Sequence, residues 1–310
     1  MAAVPARAAA QEPDARPDTV RLRFAWPAGT VATVETTRFR ERIAERTDTL
    51  AGSVTYRMQV REHDEGLAII YDILSLTAAP QVTGGLRAFQ AVSEQLADVV
   101  PNYVVSRDGE FLRIQDAAAF KARLDSLFAP AFAREGSTGQ ASALFQSMLS
   151  EQTLEALAAN EWNTLVGMWV GADLELEAVY GFEEEVPIAL LPGETVRMNS
   201  EFAIVDRLPC TEDVPTPDCV EIQLFSYPDE EAMKAVLRRF MQRVAGDAAA
   251  AFVIEALEIE NELLLVTEPA TLLPHRAVIV KSVRAVGRQS GEPSEFSQTD
   301  VRTYTFTYRR

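Results

Sequence analysis

Two cysteines, Cys210 and Cys219, enclose a polar loop of eight residues that contains two prolines. The flanking segments, 201–208 and 220–225, have the composition of β-strands, so the pattern predicts a hairpin with a cysteine at each inner end of its loop. Facing cysteines on antiparallel strands come within disulfide range, which predicts a structural bridge of the kind found in oxidising compartments. The alternative is a pair of free thiols. A redox-active pair would be expected as CxxC at a helix start.

The other residues able to do chemistry are sparse. The two histidines, His63 and His275, are far apart in the sequence, and His63 lies in a turn-like segment beside two acidic residues. Adjacent residues seldom converge on one metal ion without a shaped loop. The chain has no HExxH helix, no GxSxG nucleophile elbow and no glycine-rich phosphate loop. We therefore expect no metal, no cofactor and no catalytic residue.

Carboxylates are abundant, and a glycosidase needs only two of them at the correct spacing. The densest run, 183–185, is interpreted as a solvated turn because acidic residues are common throughout the chain. Aromatic side chains could instead line a cavity for an apolar ligand, although aromatics in strands belong more often to the core. The candidate lining residues are Tyr304, Phe306, Tyr308, Trp162 and Trp169.

Hydrophobic periodicity predicts the elements that must position these residues. Alternating apolar residues predict strands in the first quarter of the chain, and helical spacing then predicts three helices. The strands are expected over 19–24, 30–45, 53–60 and 67–77, and the helices over 85–99, 117–133 and about 140–159. The segment 107–109 predicts a tight hairpin turn.

Alternation returns from about residue 172. Strands are expected near 174–180, 201–208, 220–225, 263–267, 276–287 and 296–308, with a helix over 229–245 and a further helix to about 257. Blocks of strands that alternate with blocks of helices favour an α+β fold. We expect two antiparallel β-meanders, half-barrel-like sheets covered by amphipathic helices.

The predicted organisation has three parts: a leader over 1–18, a meander with helices over 19–170, and a β-rich half with a covering helix over 171–310. The segments 26–31 and 191–196 are similar, and each precedes a predicted strand. Two related halves are therefore one interpretation, and a chance similarity is the other.

Charge restricts the binding partners. With 29 basic and 46 acidic residues in 310, the formal net charge is 29 − 46 = −17. A protein this acidic is not expected to bind nucleic acid or to adsorb to anionic membranes. No apolar run reaches the roughly 18 to 20 residues of a transmembrane helix.

The first eleven residues bear on the compartment. They end in three alanines before Gln11, like the cleavage region of a secretory signal, but they lack its apolar stretch. We hypothesise that the start lies inside such a signal and that the protein is periplasmic or secreted. A disordered leader on a cytoplasmic protein is the alternative.

In outline, the predicted meanders and covering helices resemble bacterial envelope proteins, among them the half-barrel lipid carriers of the LolA and LppX type. The resemblance covers the fold outline alone and carries no site residues. The order of strands and helices, the predicted disulfide and the lack of recognised catalytic motifs together favour an exported, non-enzymatic protein that binds an apolar, lipid-like ligand or an envelope protein partner. A structural envelope scaffold without a small ligand and an unrecognised carboxylate-dependent hydrolase are the alternatives.

Overall fold

The computed structural model describes residues 18–44, 47–77, 100–133, 149–188, 191, 194–211, 218–245 and 252–309. These parts of the chain contain thirteen strands, three α-helices and one short 3-10 helix. The strands are β1 (Thr19–Arg21), β2 (Val31–Ile43), β3 (Thr47–His63), β4 (Gly66–Thr77), β5 (Tyr103–Val105), β6 (Phe111–Ile114), β7 (Asp173–Glu175), β8 (Tyr180–Pro187), β9 (Thr195–Leu208), β10 (Cys219–Pro228), β11 (Phe252–Thr267), β12 (Pro274–Gln289) and β13 (Glu292–Tyr308). The helices are α1 (Ala117–Ala133), α2 (Glu151–Leu165) and α3 (Glu230–Ala245), and the 3-10 helix is Gly167–Trp169.

Eleven of the strands form one antiparallel sheet, in the order β6-β5-β4-β3-β2-β13-β12-β11-β10-β9-β8. Strands β1 and β7 pair separately as a two-stranded sheet. The prediction of an α+β fold with two meanders, each covered by helices, is therefore wrong: the described chain is mostly β.

The pairing of β2 with β13 is the reason that two separate meanders do not form. It runs without a bulge from Ala32 opposite Tyr308 to Ile43 opposite Ser297. Two separate meanders would each leave a long edge of unpaired N–H and C=O groups, and joining the edges satisfies both. Strands from both sides of the predicted boundary at 170/171 share this sheet. The boundary itself remains a prediction.

The large sheet is strongly curled. Trp162 contacts Tyr103 of β5, and Trp169 contacts Phe202 of β9, each with ring centroids 5.5 Å apart. In a flat sheet β5 and β9, eight strands apart, would be separated by about 38 Å. Seven residues of helical backbone rise only about 10 Å. The sheet must therefore bend around the segment that carries the two tryptophans.

The main core lies on the inner face of the curled sheet, the face turned towards Trp162. Strands β2–β5 and β9–β13 all contribute buried apolar residues to it, and β1, β7 and the end of α2 supply the filling. Inner-face residues alternate with polar ones along β3, where Val54, Tyr56, Met58 and Val60 are buried. A smaller core forms where α1 and α2 pack near β6, from Ile114, Phe120, Leu124, Leu149, Leu154 and Ala158.

The helix over 117–133 is confirmed as α1, and the helix over 229–245 as α3. Lys234 of α3 donates to Glu230 and to the backbone carbonyl of Glu255, which anchors the helix on β11. The further helix expected to about 257 is wrong, because β11 already begins at Phe252.

Two other predictions have mixed outcomes. The strand expected over 174–180 is divided between β7 and β8, since Glu177 has a φ of 63° and breaks the extended backbone. The third predicted helix is described only from residue 149 onwards, as α2. The helix over 85–99 and all of the leader except Asp18 lie outside the described residues.

No helix in the described ranges combines the length and the apolar character needed to cross a bilayer.

Candidate ligand-binding groove

A groove of about 480 Å³ crosses the outer face of the sheet, the face turned away from the core, over β9–β12. Val278 and Val280 alternate along β12 with Ala277, which is buried in the core. Leu264 of β11 stands between two core residues, Leu263 and Leu265. Because successive side chains of a strand point to opposite faces, the two valines and Leu264 point outwards.

Strand register assembles the groove from two cross-strand rows. In the first row, Leu264 stands opposite Val278 on one side and opposite Gln223 on the other, and Gln223 faces Ala203. The second row contains Val280, Glu262, Phe225 and Glu201 in the same way. The remaining lining residues are Val179 and the backbone positions between the rows.

The groove is mostly apolar, with two carboxylates in its second row. Val278, Val280, Leu264 and Phe225 are partly exposed, and the exposed Glu201 and Glu262 stand beside them. Isolated surface hydrophobics need no explanation, but contiguous ones mark binding surfaces. This arrangement suits an apolar ligand, and its carboxylates disfavour an anionic group.

The apolar surface continues beyond the groove. Val280 stands opposite Val301 of β13, and Val301 stands opposite Phe39 of β2, whose side chain is 48% exposed. At the other end Val179 is 71% exposed. Phe39, Val301 and Val280 thus form an outer apolar strip across β2, β13 and β12, which meets the groove at Val280.

The aromatic residues predicted to line a ligand cavity lie on the inner face instead. Tyr304, Phe306, Trp162 and Trp169 are each at most 5% exposed and belong to the main core, and Tyr308 packs against it. Trp162 donates from Nε1 to the carbonyl of Gly109 at 2.8 Å. The five are thus brought together in one core, on the face opposite the groove.

The groove residues were missed although the sequence carries a signal for them. The segments 277–280 and 263–266 are apolar at every position and so lack alternation. A strand that is apolar on both sides has an apolar surface on each face of its sheet. One face is explained by the core, and the second face is the groove.

A polar cluster interrupts the inner face beyond the core. Arg38 of β2 and Asp300 of β13 form a buried ion pair, and Arg40 stands opposite Asp300 in the register. Burial, together with the nearby Arg38, lowers the pKa of the Arg40 guanidinium. The carboxylate of Asp300 thus has two arginines, Arg38 and Arg40, as neighbours.

The buried tyrosines are not bases. The hydroxyl groups of Tyr71 and Tyr103 lie 3.1 Å apart, and burial raises the pKa of both above the ordinary value. Burial raises the pKa of Tyr308 in the same way. All three therefore stay neutral near pH 7 and act as hydrogen-bonding groups of the core.

The two histidines occupy different environments. His63 is the last residue of β3, where its Nδ1 accepts from the backbone N–H of Glu65 at 3.2 Å. His275 lies at the start of β12 with its Nε2 2.9 Å from Glu268 Oε1. Glu183, Glu184 and Glu185 are exposed, but they lie within β8, which corrects the interpretation of this run as a turn.

The predicted disulfide is confirmed. Cys210 and Cys219 are bridged with their Cα atoms 5.0 Å apart, and Cys219 faces Leu208 where β9 and β10 begin to pair. Because disulfides persist in oxidising environments, the bridge favours a location outside the cytoplasm.

Comparisons with known proteins add little to this geometry. No protein-family model matches the chain, and no curated protein matches it. Among solved structures, an outer membrane channel from Pseudomonas putida F1 aligns with 96% of this chain and 99% of its own, at 7% identity and a TM-score of 0.15. A score this low does not indicate a shared fold, and none of these comparisons supports the resemblance to half-barrel lipid carriers.

Proposed function

We propose that this is an exported, non-enzymatic binding protein whose outer-face groove takes an apolar, lipid-like ligand. The observation that carries the proposal is the groove itself, an open and mostly apolar surface groove whose volume of about 480 Å³ lies in the range of small-molecule sites. The disulfide is consistent with a periplasmic or secreted location.

The role of the groove is tested by Val280→Glu, which places a charge within it. The matched control is Val253→Glu, on β11 but outside the groove, where the valine is already 53% exposed. Titration with an uncharged fluorescent lipid analogue should show saturable binding to the wild type and to the control, and at least tenfold weaker binding to Val280→Glu.

Native mass spectrometry of gently purified protein provides an independent test. A bound mass that is released on denaturation and fragments as a lipid supports the proposal. A protein without bound mass, together with no saturable binding of the analogue, contradicts it.

An envelope protein partner is the second candidate, favoured by the outer apolar strip. The strip extends past the groove to Phe39, further than a small ligand needs. Photocrosslinking from position 39 in cells should trap one defined partner if this candidate is correct, and Val253 is the matched position at which no such partner is expected.

A further inference from the structure

The ends of β10, β11 and β12 bring the disulfide next to a histidine. Val220, which follows Cys219, stands opposite Thr267, and Thr267 stands opposite Pro274, which precedes His275. The two cysteine sulfurs and a ring nitrogen of His275 consequently lie within 4.8 Å of one another. Within the described ranges, this is the one group of three such side chains whose ligand atoms are this close.

Hydrogen bonds fix the histidine in an orientation that leaves one nitrogen available. Glu268 Oε1 lies 2.9 Å from His275 Nε2. The other carboxylate oxygen, Oε2, accepts a hydrogen bond from the Thr271 hydroxyl at 2.8 Å. Because a carboxylate oxygen can only accept a hydrogen bond from an imidazole ring, Nε2 is the nitrogen that carries the hydrogen in the neutral ring. Nδ1 then carries the lone pair.

That lone pair has no hydrogen-bond partner in the structure. His275 Nδ1 is buried, and the side chain as a whole is only 9% exposed. A buried acceptor without a partner is costly, so such an atom in a native protein calls for an explanation. A ligand that the nitrogen binds in another state of the protein would provide it.

We propose that reduction of the Cys210–Cys219 disulfide converts this cluster into a binding site for a thiophilic cation such as Zn²⁺. A dithiol reductant supplies two electrons and two protons; its own thiols become a disulfide, and one proton goes to each cysteine sulfur. The cation then displaces these two protons into solvent and bonds to both sulfurs and to His275 Nδ1.

The geometry fits such an ion. The centre of three atoms that are at most 4.8 Å apart lies no more than about 2.8 Å from each of them, which is about 0.5 Å beyond a Zn–S bond. Once the S–S bond is broken, rotation of the cysteine side chains must move the sulfurs from bonding distance to about 3.8 Å apart, the spacing of two Zn–S bonds at a tetrahedral angle. A fourth position is left for water.

The chemistry of the site also favours this class of ion. Two thiolates and one imidazole form a soft donor set, which selects zinc over magnesium or calcium. Two thiolates also neutralise a divalent cation. Metal-bound histidines usually donate their other N–H to a carboxylate, and Glu268 already occupies that place.

The test uses the full chain in its oxidised and reduced forms. The reduced form is prepared with a dithiol that is then removed under inert gas, and Co²⁺ is the probe because thiolate-bound Co²⁺ has a charge-transfer absorption. The reduced protein should bind one Co²⁺ with this absorption and release it to Zn²⁺. The oxidised protein should show none.

Variants identify the nitrogen ligand. His275→Gln should weaken binding at least tenfold, and Glu268→Gln should weaken it about 10- to 100-fold. His63→Gln is the matched control, since this other histidine lies at the end of β3 in the β3–β4 hairpin, and it should bind like the wild type. Equal affinity of the wild type and His275→Gln, or no thiolate absorption, would overturn the proposal.

Circular dichroism of the reduced protein without metal shows whether it remains folded. If reduction unfolds it, Zn²⁺ should restore the spectrum of the wild type but not that of His275→Gln, because metal binding and folding are coupled. Failure of Zn²⁺ to restore the wild-type spectrum would also overturn the proposal. This site is independent of the groove, so neither result bears on the proposed function.

Discussion

Arg38 donates from Nε to both carboxylate oxygens of Asp300, at 3.0 and 3.1 Å, although 262 residues separate the two in the sequence. A further bond joins Nη2 to Oδ2. The pair links β2 to β13, and both residues are less than 10% exposed. A buried pair seldom adds much net stability, but removing one partner leaves an uncompensated charge.

Asp300→Asn should therefore destabilise the protein by about 3 to 5 kcal/mol. The matched control is Asp72→Asn, which breaks the half-exposed ion pair with Arg57 and should cost at most about 1 kcal/mol. Urea denaturation measures both values. Equal costs for the two variants would show that burial of the Arg38 pair has no energetic consequence.

Two glycines share the same φ angle but differ in their surroundings. Alanine substitutions at these positions therefore separate the cost of backbone strain from the cost of steric crowding. Gly29 and Gly109 both have φ of 89°, a conformation that costs an alanine about 1 to 2 kcal/mol. An added Cβ meets nothing within 4 Å at Gly29, whereas at Gly109 it would lie 2.7 Å from Cγ of Phe24.

Gly109→Ala should consequently cost about 1 to 3 kcal/mol more than Gly29→Ala. The comparison is made by thermal or denaturant unfolding of the two variants. A similar cost at both positions would mean that Phe24 moves aside without penalty.

The disulfide should stabilise the folded chain. Replacing both Cys210 and Cys219 by alanine should cost about 2 to 3 kcal/mol, since the bridge restricts the unfolded chain, and lower Tm by about 3 to 5 °C. A dithiol should lower the Tm of the wild type and leave the double variant unchanged. An equal response of both proteins to the reductant would refute the assignment of the effect to this bridge.

Glu268 should make stability depend on pH on the acid side. Its pKa is lowered in the folded protein by the hydrogen bond from His275, so its contribution is present above the ordinary glutamate pKa. The contribution is lost as the pH falls through the lowered pKa. Tm measured between about pH 6 and pH 3 should fall less steeply for Glu268→Gln than for the wild type.

Local features of the fold were accessible from the sequence. The disulfide followed from the strands on either side of its loop, and α1 and α3 followed from helical spacing. In each case the determining interactions lie within a few turns or one hairpin of the chain. The hairpin turn at 107–109 belongs to the same class, and Gly109 adopts the positive φ that such turns require.

The global arrangement was not accessible in the same way. Alternation along β13 specifies which residues share a face, but it does not name β2 as the neighbouring strand. The aromatic residues illustrate the difficulty: Tyr304 and Phe306 were correctly placed on one face, yet only the curl of the sheet determines that Trp162 fills the space in front of it. The groove required knowing which apolar face the core had already covered.

The β2–β13 pairing has a consequence for synthesis. During translation β2 can pair with β3 at once, but its other edge must wait until a strand more than 250 residues later has left the ribosome. An unpaired edge of thirteen residues is a template for aggregation. Three arginines, Arg38, Arg40 and Arg42, alternate along this strand, and positive charges of this kind discourage a waiting edge from joining a neighbouring nascent chain. The cations that later cluster around Asp300 would thus protect the strand before its partner exists.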